Sequence, residues 1–199
     1  MMRLLSAGLL LLALSAAPVA AQQPGVLVRI WTDAGNFDVA LDPVSAPRTV
    51  ANFLWYVDQG AYAEGRVHRT VSSLPDNQLQ SPVKIDVIQA AARADFLAAP
   101  SIPLERTSVT RLRHEDGTIS MARAGIDTGQ SDFFICIGAQ PSLDFGGQRN
   151  PDGQGFAAFG KVVRGMEIVR KLHRAPASGQ TLTPPIRILH IDRVGVRTR

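Results

Sequence analysis

From Val26 onward the chain alternates. Val26, Val28 and Ile30 take one side of an extended segment, and Leu27 and Arg29 take the other. Phe37, Val39 and Leu41 repeat the pattern against Asp38 and Ala40. Asp33-Ala34-Gly35-Asn36 separates the two runs, and Gly35 can take a positive φ, so Val26–Leu41 predicts a β-hairpin. The period then changes. Val50, Phe53, Leu54 and Val57 follow an i, i+3, i+4, i+7 rule, behind Ser45 as a candidate N-cap and Pro47 in the first turn, and Gly60 closes the run. A second helix is predicted over Arg164–Arg174. There Met166, Val169 and Leu172 share a face, and a basic last turn suits the helix dipole. Most remaining apolar runs are short and strand-like: 66–71, 84–90, 117–122, 133–138, 157–163 and 186–196. Many short strands with one helix near each end argue for a mainly β, closed barrel rather than alternating βα units. The longest irregular stretches are Ser72–Pro82, Arg93–Ser108 and Ser142–Gly155, and segments of that length in a compact domain tend to carry function.

The first residues stand outside this pattern. Arg3 precedes an apolar run, Leu4–Ala17, and Val19-Ala20-Ala21 leads to an expected cut before Gln22. This is the layout of a secretory signal peptide, so residues 1–21 are expected to be a leader and residues 22–199 a single domain. The run is short for a permanent span, and no stable membrane insertion is expected after its removal. The expected location is exported, with the periplasm favoured over full secretion.

Composition narrows the function. The 199 residues are 45% hydrophobic and 19% charged, ordinary for one globular domain. Cys136 is the sole cysteine, so no internal disulfide can form; inside the apolar run "FFICI" it reads as an inert buried thiol. The formal charge of +4 is spread over scattered basic residues with no aromatic-interleaved stripe, which argues against nucleic-acid binding. His68, His114, His173 and His190 lack metal-ligand spacing, so neither a metal nor a cofactor is expected. Asp38, Asp42, Asp144 and Asp152 read as turn or surface residues. Nothing marks an assembly surface, and a monomer is expected. Phe133 and Phe134 fall on opposite faces of one strand, and the pattern does not say which faces the core.

Eight strings in order carry a resemblance: "APRTVANFLWYVDQGAY", "VHR", "VIQ", "DGTISMARAG", "SDFFICIG", "LDFGG", "FAAFGKVVRGMEIV" and "PPIRILHI". Together they resemble a cyclophilin-type peptidyl-prolyl cis–trans isomerase over about Val26 to Val196. The resemblance implies a closed antiparallel eight-stranded β-barrel capped by two α-helices. It implies rotation of X–Pro bonds in unfolded or partly folded envelope proteins, a chemistry that needs no nucleophile, base or metal. It places the catalytic roles on Arg69, Gln89 and Phe134. Arg69 would face the twisted amide nitrogen, and Gln89 would hold the peptide carbonyl or organise Arg69. Val87, Leu143 and Phe156 would line the proline pocket with Phe134. Ala122 and Arg123 would offer backbone groups to an extended peptide, and Asp132 would neighbour it.

The chain departs from the family pattern in places. Val67 and Asp86 stand where the family usually has Phe, and Val87 replaces a common Met. Ala90 and Ala91 replace Gly-Gly, Asp132 replaces Gln, Ser142 replaces Trp and Phe156 replaces His. "TVSSLPDNQLQSPVKID" is a longer link than usual between Arg69 and Gln89. Asp86 or Asp132 would compete for Arg69, and the two alanines would strain a bend that needs positive φ. Those departures keep open a proline-peptide-binding or chaperone-like module with little turnover. An unrelated secreted β protein is the third reading.

Overall fold

The computed structural model describes residues 25–195; the expected leader, residues 1–21, lies outside them. The first hairpin pairs β1 (Val26–Thr32) with β2 (Gly35–Leu41) in unbroken register, Thr32 opposite Gly35. A two-residue turn is therefore enough, and Gly35 takes φ +132° at its exit. β3 (Gly65–Val71), β4 (Val87–Ala91), β5 (Thr118–Met121), β6 (Phe133–Cys136), β7 (Ala157–Arg164) and β9 (Thr181–Arg193) complete the barrel, with a two-residue β8 (Ala177–Ser178) hung on β9. Every pairing is antiparallel. The order β1-β2-β7-β5-β6-β4-β3-β9 closes through β9 with β1, giving eight strands in the ring. The strand expected over 186–196 begins earlier, at Thr181, and that over 84–90 begins later, at Val87.

Two helices cap the barrel, and both were expected. α1 (Pro47–Asp58) buries Val50, Phe53, Leu54 and Val57, the four residues of the periodic face. Its N-terminus differs from expectation, because Ser45 caps nothing. Instead Glu105, from the far loop, accepts the N–H groups of Arg48 (3.1 Å) and Thr49 (2.8 Å) and the Thr49 hydroxyl (2.7 Å). Two otherwise orphaned helical donors are thus satisfied by a carboxylate at the positive end of the helix. α3 (Met166–His173) sets Val169 and Leu172 into the same core and covers the β1–β2 turn, where Ile168 meets Gly35. A four-residue turn, α2 (Thr107–Thr110), begins at the end of the stretch expected to be irregular, Arg93–Ser108, and runs two residues past it. Among the described residues no helix is long and apolar enough to cross a membrane.

The barrel interior holds Val28, Ile30, Phe37, Val39, Ile88, Ile119, Phe133, Ile135 and Phe159, all buried. Phe133 is therefore the core residue of its pair, packed edge-on against Phe53 and Tyr62. Phe134 faces outward into a second, smaller cluster. Cys136 belongs to that cluster; it is buried, and burial pushes its thiol pKa up.

Candidate active site

A β-bulge aims the first site residue. Val67 pairs with Ala90 and sits in the core, and Arg69 pairs with Gln89, leaving His68 as the extra residue. In a regular strand Val67 and Arg69 would share a face; the bulge breaks that alternation, and the guanidinium emerges on the outside. The row continues across the sheet, with Gln89 opposite Phe134 and Phe134 opposite Ser120. Arg69 and Phe134 are two strand spacings apart, about 10 Å, with Gln89 between them.

Arg69 is held on two sides. Nη1 donates to Gln89 Oε1 (2.9 Å), while Nε (2.9 Å) and Nη2 (2.5 Å) donate to Gln180 Oε1. Burial, and after it the charge of Arg149, lowers the guanidinium pKa from its ordinary value, but an arginine stays a cation. Asp86 does not compete for it. Its carboxylate accepts the Ser73 N–H (2.9 Å) and hydroxyl (2.5 Å) and lies 3.7 Å from His173 Nε2. The expected rivalry is removed because the long link turns Asp86 onto its own first residues.

The apolar part of the site is the outer cluster. Val87, Phe134 and Leu143 are buried together, with Val71, Ile85 and Cys136 behind them and Ala122 and Phe156 partly buried at the edge. Phe156 meets the Phe134 ring edge-on at 5.3 Å. On its other side Phe134 stacks on His114, 5.9 Å between centroids with 15° between planes. His114 is buried, Nδ1 2.8 Å from Asp144 and Nε2 2.9 Å from Ser120 Oγ. A carboxylate only accepts, so Nδ1 carries a proton, and in the neutral ring Nε2 accepts from Ser120. Asp144 is thus no surface residue. Burial acts to raise its carboxyl, but the hydrogen bonds from His114 and Arg113 outweigh that and hold it below the ordinary range.

Arg123 contributes more through its side chain than its sequence suggests. The side chain is 2% exposed. It donates to Asp152 through both Nη atoms (2.7 and 2.9 Å) and to the Gly155 carbonyl (2.8 Å), and lies 5.1 Å over the Phe156 ring. Its backbone N–H and C=O make no hydrogen bond among the described residues. Ala122 is different, since its N–H already donates to the Asp132 carbonyl (2.9 Å) and is not free for a peptide. The Asp132 side chain lines a separate hollow of about 310 Å³ with Tyr56, Arg66, Ala91, Arg93 and Phe96, away from the Phe134 cluster. Ala90 and Ala91 are regular β4 residues, opposite Val67 and Arg66. Neither takes the positive φ that the family's glycines raised as a concern, so they bring no strain.

Comparison with known proteins decides the family. The model of the cyclophilin type peptidyl-prolyl cis-trans isomerase/CLD family matches residues 27–193. The chain belongs to this family. It is 36% identical over 173 residues to peptidyl-prolyl cis-trans isomerase A of Dickeya dadantii (strain 3937), covering 85% of this chain and 83% of that protein. It is 28% identical over 151 residues to peptidyl-prolyl cis-trans isomerase cyp18 of Streptomyces antibioticus, covering 71% and 80%. The fold matches crystal structures of a cyclophilin-type isomerase from Cryptosporidium parvum. One has a TM-score of 0.69 at 21% identity over 86% of this chain and 99% of that one. A second, obtained in the presence of the dipeptide Ala-Pro, has a TM-score of 0.68 at 22% identity over 85% and 99%. Within this cyclophilin-type barrel, Gln180 contacts Arg69 and the His114–Asp144–Ser120 triplet backs Phe134, and pattern reading gave none of these four a place in the candidate site.

Proposed function

We propose that this chain rotates X–Pro peptide bonds of unfolded or partly folded polypeptides in the cell envelope, with Arg69 as the group that favours the twisted amide. The barrier to rotation is about 18–20 kcal/mol because resonance holds the C–N bond planar. Twisting removes the resonance and leaves a lone pair on a pyramidal nitrogen. A guanidinium aimed there stabilises the twisted state and gains nothing from the planar one, and that differential is the catalysis. The proline ring rests on Phe134 between Val87, Leu143 and Phe156. The Gln89 carbonyl oxygen steers Nη1 of Arg69, which leaves its NH₂ for a peptide carbonyl. The Arg123 backbone is the open edge along which an extended peptide pairs. Binding of proline-containing peptides is in keeping with the solved neighbour studied with Ala-Pro.

The observation that carries this reading is the Arg69–Gln89–Phe134 row on one outer face, with only neutral amides on the guanidinium. The same row weighs against a binding module without turnover, since Asp86 is held by Ser73, Asp132 lines another hollow and the two alanines are regular strand residues. The export half rests on the leader-like residues 1–21. Production of the full chain in an exporting bacterium tests both halves. The recovered protein is expected to begin at Gln22 and to catalyse cis–trans exchange of a short Ala-Pro peptide in NMR exchange spectra. Arg69→Ala is expected to lower that rate by about 100-fold. A chain that keeps Met1 overturns export, and peptide binding with no catalysed exchange overturns the enzyme in favour of the binder.

A further inference from the structure

The geometry points to Gln180 as a positioning residue for Arg69, itself braced by the long link after β3. This inference rests on the proposed role of Arg69. Gln180 Oε1 takes two of the guanidinium's donors, and its Nε2 donates to the Asn77 carbonyl (3.0 Å). The amide has one workable orientation here, because a guanidinium only donates and a backbone carbonyl only accepts. The backbone is clamped too, with the Gln180 carbonyl accepting from Thr70 N at 2.9 Å. Asn77 is fixed in turn. Its Oδ1 accepts the Ser72 N–H (2.9 Å), and its Nδ2 donates to the carbonyls of Thr70 (3.0 Å) and Gly179 (3.1 Å). From the other side Arg149 Nη1 pins the link through Gln78 Oε1 (3.0 Å), Ser81 Oγ (2.7 Å) and the Val83 carbonyl (2.6 Å).

The longer link thus replaces freedom with a fixed carbonyl, and that carbonyl sets which way the Gln180 amide faces. Gripping Nε and Nη2 fixes the guanidinium plane and leaves only the Nη1 side toward the row of Gln89 and Phe134. The grip is also neutral. A carboxylate in the same place would pair with the guanidinium along two parallel hydrogen bonds and draw its field away from the amide nitrogen. Gln180 therefore acts on the rate of the bound peptide, through Arg69, and has no part in holding the proline ring.

A double-mutant cycle tests this. Bound-state exchange of an Ala-Pro peptide and its Kd are measured for wild type, Gln180→Ala, Arg69→Ala and the double variant, with amide spectra to check the fold. The expected result for Gln180→Ala is about a tenfold loss of exchange rate with Kd kept within about twofold, and no additional loss once Arg69 is gone. Gln180→Glu is expected to lose at least as much as Gln180→Ala. Should the alanine variant fail to fold, Gln180→Met, close in length but only a weak acceptor, enters the same cycle. An equal loss in the Arg69→Ala background, or a Gln180→Ala rate equal to wild type while Arg69→Ala is inactive, overturns the positioning role and leaves the isomerase reading intact. Arg69→Ala as active as wild type overturns both.

Discussion

Phe134 is supported from behind by polar chemistry. The His114 ring stacked beneath it is locked by hydrogen bonds at both nitrogens, to Asp144 and to Ser120, and all three are buried. Removing the imidazole leaves a buried carboxylate and a buried hydroxyl short of a partner. At about 1–3 kcal/mol for the orphaned Ser120 hydroxyl, with a smaller loss at Asp144, which keeps Arg113 and the backbone N–H of residue 114, His114→Ala is expected to cost about 3 kcal/mol. The urea midpoint of unfolding measures it, and a loss under about 1 kcal/mol means that water replaces the ring. Single residues were unevenly legible. Arg69, Gln89 and Phe134 took their roles from the resemblance, since the residues alone did not assign them. The choice between Phe133 and Phe134 needed the partner strands, because alternation has two phases and the sequence does not label them. Asp38, Asp144 and Gln180 gave no local sign of their roles, since their partners lie 9, 30 and 111 positions away.

Elements were more legible than their ends. The apolar face of α1 is written in its own period, so its existence and its buried side followed from residues 45–60. Its cap did not, because Glu105 stands 57 positions beyond Arg48 and the nearby serine made a plausible local candidate. A helix whose first donors are held by a distant loop couples the two. Glu105→Ala is expected to lower stability by about 1 kcal/mol, the usual worth of an N-cap, and to raise hydrogen exchange at Arg48 and Thr49 in particular. Unchanged protection at those two amides would show that the carboxylate merely sits nearby. The bulge at His68 belongs to the same scale. No composition rule announces an extra residue in a strand, yet this one turns Arg69 from the core to the groove.

Across the whole molecule, carboxylates tie the barrel and its loops together, and they give it a predictable acid limit. Asp38, 1% exposed, joins three neighbouring strands through Arg29 (2.6 Å) and Arg164 (2.8 Å). The hydrogen bond from Arg29 leads in depressing its carboxyl pKa, with burial opposing and the two cationic charges assisting. Asp144 is depressed likewise, and hydrogen bonds from Arg123 bring Asp152 down to about 2. A carboxyl whose folded pKa lies below its unfolded value, 3.8, leaves the folded state with fewer bound protons. The stability it contributes is therefore complete above that value and lost as pH falls through the folded one. Melting temperature is expected to be nearly flat from about pH 7 to 5 and to fall steeply between about pH 4 and 2. Asp38→Asn separates the barrel's share from that of the loops. It is expected to melt lower than wild type at neutral pH, to decline less steeply in acid, and to converge on wild type as the native carboxyl takes up its proton. An acid slope equal to that of wild type would place the pH sensitivity in the loop pairs at Asp144 and Asp152 instead of in the three-strand link.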